Sequence, residues 1–455
     1  MVLRLSRRSF IAGSALALAG RPAFAQAVQT IIAEPKTSRF FGDGAPTQHW
    51  HFRTADDVPV VRVRQGAETS LHFINNLEED IWVHLYGLRI EAASATALLP
   101  RGPAGTLDLV FTPPDAGTFW IGPLLNAAKQ RGLGLYAMLI VEEAASPFED
   151  VPLILDDWKV SDEGVLDRNF ANIEEAAGAG RMGNWVTVNG TSKPNFALSA
   201  AKPTRLRLLN AGNARTLNVQ LRGMEAQVIA RDGQPIQPQA LAAAGLDLAP
   251  GQRADIVPAQ GGDDMSMLLD LGKDSLEAAF FTAAGALPEA GSSLVLPANP
   301  LPTIDATAEP APRKIAIVLE GGIKGGLREA RVAGETLDLR ALLEKGLAWA
   351  INGKAGLQQE TLFEAVEGEA LILAFENRTE FDQPIAIDGH AWRALTPGST
   401  LNESSPWTDT AVIPARSGAE FLLAGGKAGL WTISSLVAER SDAGLIGSFK
   451  VNPGP

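Results

Sequence analysis

Cysteine is absent from this sequence of 455 residues, and its absence excludes several kinds of chemistry. A chain without thiols has no disulfide framework, no thiol nucleophile and no copper or zinc site that depends on a thiolate ligand. Histidine is scarce as well, because only five are present: His49, His51, His72, His84 and His390. A metal site built mainly from imidazoles must therefore be small.

Long apolar runs and an excess of basic residues are also missing. After the N-terminal segment, no stretch approaches the roughly 20 apolar residues of a membrane-spanning helix, so we expect a soluble mature chain without a transmembrane segment. The chain has 39 Lys and Arg against 52 Asp and Glu, a net charge of -13. This acidic balance argues against nucleic acid and anionic lipid as main partners, because both are anionic themselves.

The N-terminal 25 residues have the pattern of a twin-arginine export signal. Arg7 and Arg8 precede a short run rich in Ala and Gly, and the segment ends in Ala23-Phe24-Ala25. We expect cleavage before Gln26 and a periplasmic location. A membrane anchor is the alternative, but the apolar run is too short and too rich in small residues to span a bilayer. Loss of the four arginines of this signal would leave 35 basic and 52 acidic residues, a net charge near -17.

Short β-branched and apolar runs separated by turn residues recur along the chain and predict an all-β protein. The 45 glycines and 29 prolines favour the same class. The best helical pattern is short and covers residues 337–344. The predicted strands are 58–63, 69–75, 107–112, 118–121, 136–141, 151–155, 185–189, 205–210, 217–221, 370–377, 411–414, 420–423, 429–433 and 447–451.

Two seams divide the chain into three parts of similar length. Residues 143–150 form a small acidic connection, and residues 287–313 are rich in Pro and Ala with weak periodicity. We therefore predict domains at 26–147, 148–300 and 312–455, with a linker at 301–311. Each is long enough for a Greek-key β-sandwich. No repeat is obvious by eye, although three β domains of similar size fit a duplicated sandwich.

Several segments of the chain after residue 26 resemble the multicopper oxidase family, which is built from three cupredoxin domains. The resemblance implies three cupredoxin-like Greek-key β-sandwich domains. It rests on segments spread over nearly the whole mature chain, so a chance match of all of them is excluded. These segments are 59–66, 82–88, 115–120, 134–141, 188–190, 205–211, 232–235, 248–255, 407–410 and 429–431.

The same resemblance implies twelve positions for copper ligands, and eleven of them are replaced. The family uses neutral imidazoles and, at its electron-accepting copper, one thiolate. Only His84 keeps an imidazole, and several replacements offer no donor atom. We therefore predict no metal site, no catalytic residue and no working oxidase. The twelve positions are His84, Tyr86, Gly122, Leu124, Gln383, Ala386, Asp388, Ser434, Ser435, Leu436, Arg440 and Leu445.

The replaced positions and the remaining histidines have structural interpretations. We expect Leu124, Ala386, Leu436 and Leu445 to close the former copper sites by apolar packing. His84 is interpreted as a relic that hydrogen-bonds a backbone carbonyl near Tyr86, and His390 as structural.

His49-Trp50-His51 has two interpretations. On a strand, both imidazoles would share one face and could hold an adventitious Cu(II) or Zn(II) ion. The alternative is two polar residues on an edge strand. Two pairs elsewhere in the chain, Asp156-Asp157 and Asp232-Gly233, are interpreted as turn or sandwich features without an acid–base role.

Other catalytic templates are missing from the sequence. It has no Gly-x-Ser-x-Gly elbow, no P-loop and no Gly-x-Gly-x-x-Gly after a strand. The glycine-rich segment 321–326 lacks the Lys-Ser/Thr ending of a P-loop and is typical of a turn.

The chain also resembles copper-free members of the family that are exported by the twin-arginine route and associate with the division septum. That resemblance implies a pseudoenzyme without a cofactor, acting as a periplasmic scaffold or interaction protein in cell division or envelope stress. Its partners would be proteins of the periplasm, such as the division machinery. Two alternatives stay open: a multicopper oxidase or copper-binding oxidoreductase, and a small-ligand binding module that reuses the old substrate cleft.

Overall fold

A computed structural model describes residues 28–40, 44–56, 58–102, 105–259, 261–262, 264–271, 275–302, 304, 311–395 and 405–454. The predicted export signal lies outside these residues, as does most of the predicted linker. Among the described residues, no helix has the length and apolar character needed to cross a membrane.

The first part of the chain folds into two facing sheets. The four-stranded sheet has the order β2-β1-β4-β7 and the five-stranded sheet has the order β3-β9-β8-β5-β6. The elements are β1 (Gln29–Ser38), β2 (Thr47–Arg53), β3 (Val60–Arg64), β4 (Thr69–Asn75), β5 (Ile81–Tyr86), α1 (Ala92–Ala95), β6 (Thr96–Leu99), β7 (Gly105–Phe111), β8 (Gly117–Pro123), α2 (Ala127–Gly132) and β9 (Ala137–Glu142).

The middle part forms a second pair of sheets. Their orders are β11-β10-β13-β18-β15-β16 and β12-β20-β19-β14-β17. The elements are β10 (Glu149–Trp158), α3 (Ile173–Ala176), β11 (Trp185–Val188), β12 (Asn195–Leu198), β13 (Thr204–Asn210), β14 (Leu217–Arg222), β15 (Glu225–Arg231), β16 (Gln234–Ala240), β17 (Leu246–Leu248), β18 (Arg253–Ala259), β19 (Met265–Asp270), β20 (Ser275–Ala283) and a 3-10 helix at Gly291–Leu294.

The last part forms a third pair of sheets and a separate hairpin, β22-β23. The sheet orders are β24-β21-β26-β31-β28-β29 and β25-β33-β32-β27-β30. The elements are β21 (Arg313–Gly321), β22 (Glu329–Val332), β23 (Glu335–Asp338), α4 (Leu339–Glu344), β24 (Trp349–Ile351), β25 (Glu364–Val366), β26 (Ala370–Asn377), β27 (Gln383–Ile387), β28 (Trp392–Leu395), β29 (Trp407–Thr408), β30 (Thr410–Ile413), β31 (Gly418–Ala424), β32 (Gly429–Ser435), α5 (Ala438–Asp442) and β33 (Ile446–Asn452).

The all-β prediction is confirmed, and the predicted strands lie within a few residues of the observed ones. The predicted helix over 337–344 is shorter than expected, because β23 continues to Asp338 and α4 begins at Leu339. Asp338 is the N-cap of α4, and its side chain accepts a hydrogen bond from the Ala341 backbone N–H at 2.8 Å. The domain limits 26–147, 148–300 and 312–455 stay a prediction.

The three pairs of sheets repeat one topology. In each, the first strand pairs in parallel with a central strand of its sheet: β1 with β4, β10 with β13, and β21 with β26. In the facing sheet, another early strand pairs in parallel with the last strand: β3 with β9, β12 with β20, and β25 with β33. This internal repeat is the duplication that the similar lengths of the three predicted domains suggested.

A buried asparagine marks the same corner in all three sandwiches. Asn75, Asn210 and Asn377 end the central strands β4, β13 and β26, and each is at most 1% exposed. Each side-chain amide donates to one backbone carbonyl of the following loop and to at least one carbonyl of a segment farther along the chain. Each side-chain oxygen accepts from an N–H two residues onward. The amide thereby satisfies backbone groups that the turning chain leaves unpaired in the interior.

The sandwiches pack closely on one another. Buried apolar residues of the first and third sandwiches form one continuous cluster, whereas most of the second has its own. Polar contacts join the second sandwich to the others: Thr118 donates to Asp255 at 2.6 Å, and Arg253 donates to Asp409. The predicted copper positions lie at the seam between the first and third sandwiches and inside the third sandwich.

Candidate functional site

Of the twelve predicted copper positions, Leu124 is buried just after β8 and Ser434 is buried on β32. The structure brings the other ten together in two buried places. The first, here called the aromatic site, comprises His84, Tyr86, Trp120, Gly122, Ala386, Asp388 and Leu436 on strands β5, β8 and β27 and the loop ends beside them. The second, here called the arginine site, comprises Gln383, Ser435, Arg440 and Leu445 within the third sandwich. The assignment of these residues to copper positions rests on the resemblance and stays a prediction.

Two stacked rings fill the centre of the aromatic site. The Tyr86 and Trp120 rings are parallel within 3°, with centroids 3.8 Å apart. The Tyr86 hydroxyl donates to the Pro123 carbonyl at 2.9 Å, and burial raises the pKa of Tyr86. Gly122 makes room for this stack, since a Cβ atom there would lie 2.4 Å from the Trp120 ring. Ala386 and Leu436 pack into the same apolar cluster.

His84 joins the first sandwich to the third. Its Nδ1 lies 2.5 Å from the Thr96 hydroxyl, and its Nε2 lies 3.0 Å from Asp388 Oδ1, with both side chains at most 3% exposed. The geometry of the second contact does not make it a hydrogen bond. The expected backbone-carbonyl partner of His84 is therefore wrong, because its ring points across the seam between the sandwiches. Tyr86 lies beside it as expected, with ring centroids 4.3 Å apart.

A guanidinium group occupies the arginine site. Arg440 Nη1 donates to Gln383 Oε1 at 3.0 Å and to the Asp382 carbonyl at 2.8 Å, and its Nε donates to the Gly178 carbonyl at 3.2 Å. The group also lies 4.7 Å from the centre of the Phe381 ring. Burial lowers the pKa of Arg440 to about 10, so it stays charged at neutral pH. Ser435 and Leu445 are linked behind it by a backbone hydrogen bond of 2.9 Å.

A second buried guanidinium borders the aromatic site. Arg131 lies 5.8 Å from the centre of the Trp120 ring, and its Nη2 donates to the Leu436 carbonyl at 2.6 Å. It also donates to the Asn213 carbonyl at 2.7 Å, so it contacts all three sandwiches. Sequence reasoning missed Arg131, because it lies outside every family motif that the sequence presents.

The residues present do not fit copper. A copper cluster or a blue copper centre needs several imidazoles, and the blue centre also needs a thiolate. Here His84 is the only imidazole among the twelve positions, and its Nε2 faces Asp388. The guanidinium of Arg440 lies where donor atoms would have to converge, and a fixed cation repels a second one. In the ranges that the structure describes, no group of three His, Asp or Glu side chains is placed to hold a metal.

The remaining histidines are held by other partners. His49 and His51 lie on the edge strand β2, but His49 is buried against Trp158 and bonds the Ser38 hydroxyl at 2.9 Å. Burial lowers the pKa of His49 to about 4. His51 lies 3.4 Å from Glu34, and His72 pairs with Asp108 at 2.7 Å.

His390 is buried next to the third sandwich's aromatic residues. Its Nδ1 donates to the Asp388 carbonyl at 2.7 Å, and its ring lies 5.2 Å from those of Trp431 and Phe449. Burial lowers its pKa to about 4, so the imidazole is neutral. These contacts agree with a structural role.

The pairs Asp156-Asp157 and Asp232-Gly233 differ from each other. Asp232 and Gly233 form a turn with φ of 48° and 76°, as expected. Asp156 and Asp157 do not lie in a turn, because β10 continues to Trp158 and buries both carboxyls. Tyr136 donates its hydroxyl to Asp156 at 2.7 Å. Burial, and next the neighbouring Asp157, raise the pKa of Asp156 to about 7. Two acids after an apolar run are the sequence signal for such a buried pair.

The three sandwiches with their repeated topology define a three-domain cupredoxin protein. Models of the multicopper oxidase family match residues 37–146, 149–262 and 335–455. The chain belongs to the multicopper oxidase family.

Individual relatives fall into two groups. The cell division protein FtsP of Sodalis glossinidius is 26% identical over 457 residues, covering 90% of each chain. The multicopper oxidase mco of Staphylococcus epidermidis is 29% identical over 212 residues, covering 44% of this chain and 46% of that protein. This chain therefore spans about half the length of the oxidase relative. The crystal structure of a multi-copper oxidase from Pseudomonas thermotolerans matches with a TM-score of 0.75 at 25% identity, covering 93% of this chain and 98% of that one.

Proposed function

We propose that this protein is an exported, copper-independent member of its family that works as a scaffold or interaction protein in the periplasm. Its role would resemble that of FtsP, in cell division or in protection of the envelope under stress. The observation that carries this proposal is the set of side chains at the predicted copper positions, where Tyr86, stacked on Trp120, and Arg440 stand in place of imidazoles.

The relatives support the same proposal. The match to FtsP of Sodalis glossinidius runs over 90% of both chains, whereas the match to the staphylococcal oxidase covers less than half of each. The paired arginines and the Ala-x-Ala ending of residues 1–25 support export by the twin-arginine route.

Cross-linking in living cells tests the scaffold role. The full chain carries an affinity tag, is cross-linked during growth, and is purified with its bound proteins. We expect division or envelope proteins to be enriched over an equally tagged, unrelated periplasmic protein. Recovery of the same proteins with both baits would overturn the proposed role.

An oxidase is the second candidate, because the staphylococcal relative and the Pseudomonas structure are named as oxidases. Copper titration separates the two candidates. The mature chain is incubated with Cu(II) and dialysed, and its metal content is measured beside a His84→Ala variant. We expect much less than one tightly bound copper per chain, with no difference between the two proteins. Tight stoichiometric copper together with oxidation of a phenol would establish the oxidase instead.

A further inference from the structure

Of the five short α-helices in the described residues, four surround one cleft where the three sandwiches meet. This junction cleft has a volume of about 760 Å³. Helix α2 comes from the first sandwich, α3 from the second, and α4 and α5 from the third. Arg440 lies on α5 but does not line the cleft, since its guanidinium is directed to Gln383. The junction cleft is therefore separate from the arginine site.

One wall of the junction cleft is apolar and open to solvent. Ile173, Leu343 and Leu357 line it, and they are 36%, 40% and 41% exposed. Leu339, one turn before Leu343 on α4, is 40% exposed as well. Exposed aliphatic side chains that converge on one concave surface are typical of an interaction site, whereas isolated ones are ordinary surface residues.

The floor of the junction cleft is acidic. Asp442 accepts a hydrogen bond from the Ala128 backbone N–H at 2.7 Å, and Glu439 Oε1 accepts one from Asn213 at 2.6 Å. Within the described part of the chain, the buried Glu439 Oε2 has no hydrogen-bond partner. Glu344 at the rim is paired with Arg340 at 3.1 Å, and the nearby Lys129 is engaged by Glu79.

A carboxylate oxygen that is buried without a donor destabilises the protein unless a partner supplies one. The cleft therefore offers apolar contact along one wall and two carboxylates, Glu439 and Asp442, at its floor. A chain segment that places an aliphatic side chain beside Lys or Arg would complement both the apolar wall and the acidic floor.

We infer that the junction cleft docks a basic amphipathic segment of a protein partner. The segment's apolar residues would pack against Ile173, Leu343 and Leu357, with its Lys or Arg side chains directed to Glu439 and Asp442. This inference rests on the proposed scaffold function and specifies the kind of partner that it takes.

Peptide binding to the full mature chain tests the inference. The probe is a fluorescent 14-residue helical peptide of Leu and Lys, and its counterpart carries Glu in place of every Lys. Fluorescence anisotropy measures both. We expect the acidic counterpart to bind at least about 10-fold more weakly than the basic peptide, because like charges repel.

A double variant locates the binding surface. Leu343→Lys with Leu357→Lys places two cations on the exposed wall, and Leu430→Lys is the control because Leu430 is 62% exposed on β32. We expect the double variant to weaken binding of the basic peptide about 10-fold and the control to leave it unchanged. Urea unfolding checks that all variants are folded. Equal binding of the two peptides, or equal binding by the double variant and the wild type, would overturn the inference.

Localisation in cells separates this inference from the proposed function. A septal signal for a wild-type fusion supports the scaffold role, and its loss in the double variant supports the junction cleft as the docking surface. If both fusions reach the septum, the scaffold role stands and the cleft inference fails. If the wild type itself is spread evenly around the cell, the proposed division role fails whatever the peptides do.

Discussion

The aromatic site and the arginine site lie at predicted copper positions, yet their interiors are built in different ways. In the aromatic site, the parallel rings of Tyr86 and Trp120 fill the space at a separation of 3.8 Å. In the arginine site, the charged guanidinium of Arg440 donates hydrogen bonds to three oxygen atoms. The aromatic site is stabilised mainly by dispersion and by removal of apolar surface from water. The arginine site is stabilised by hydrogen bonds that a buried cation donates.

This difference shows two ways in which a fold can fill a buried interior. Large flat rings suit a space between two sandwiches, because they pack against both faces at once. A guanidinium suits a small polar pocket, since its planar set of N–H groups can reach several fixed acceptors. The two solutions should respond differently to mutation and to pH.

Trp120→Ala should have the largest effect, because it removes the fully buried indole on which the Tyr86 ring stacks. We expect a loss of about 3–5 kcal/mol in the free energy of unfolding, measured with urea. Trp82→Ala is the matched control, since Trp82 is 40% exposed, and it should cost much less. Equal losses for the two variants would show that the stack is unimportant for stability.

Arg440→Met tests the arginine site. The substitution keeps an apolar stem but leaves the Gln383, Asp382 and Gly178 oxygens without their donor, so we expect a loss of about 3 kcal/mol in urea unfolding. Arg340→Met serves as the control, because Arg340 on α4 is exposed and pairs only with Glu344 within the described residues. If Arg440→Met were as stable as the control variant, the buried cation would have no structural role.

The pH dependence of stability should report on the surroundings of the aromatic site. Asp156 borders the aromatic cluster through Tyr136, and its pKa of about 7 lies above the usual 3.8. Between about pH 4 and 7, the folded state therefore keeps a proton on Asp156 that the unfolded chain has lost. The contribution of Asp156 to stability falls as the pH rises through that window.

Asp156→Asn should flatten the pH profile of unfolding by about 1.4 kcal/mol per pH unit between pH 5 and 7, the amount that one proton contributes. Tyr136 can still donate its hydrogen bond to the amide oxygen. Asp162→Asn is the exposed control. Identical slopes for the wild type and Asp156→Asn would refute the raised pKa.

Tyr86→Phe should have the smallest effect of the four. It keeps the stacked ring and removes only the hydroxyl that donates to the Pro123 carbonyl at 2.9 Å. We expect a loss of about 1 kcal/mol in thermal or urea unfolding. A loss as large as that of Trp120→Ala would mean that the hydroxyl, and not the ring, stabilises the aromatic site.

The sequence was informative where structure depends on local pattern. Strand β4 matches its predicted limits because alternate residues face inward, and α4 was recognisable from its apolar spacing. In the sequence, only the similar domain lengths suggested the duplication, because the clearest marker of the repeat is a single asparagine at the end of each central strand, within otherwise different segments. Asn75, Asn210 and Asn377 become a pattern only when their hydrogen bonds are compared.

The sequence predicted which residues form the candidate site but not which groups surround them. The resemblance selected His84 and Arg440, and the structure places them in two buried clusters. The partners that decide their environment are distant in sequence: Asp388 faces His84 from another sandwich, and Gln383 is 57 positions from Arg440. Arg440 seemed only a lost ligand in the sequence, because nothing local shows which acceptors surround its guanidinium.

Helix α2 depends on a residue from the far end of the chain. Its own N-cap, Asn126, makes no side-chain capping bond, and the Ala128 N–H donates instead to Asp442, 314 residues later. During synthesis, the first sandwich emerges long before this cap exists, so its helix is completed only after the third sandwich has been made. Ribosome-bound chains that end before residue 442 should therefore show faster proteolysis at α2 than the finished protein.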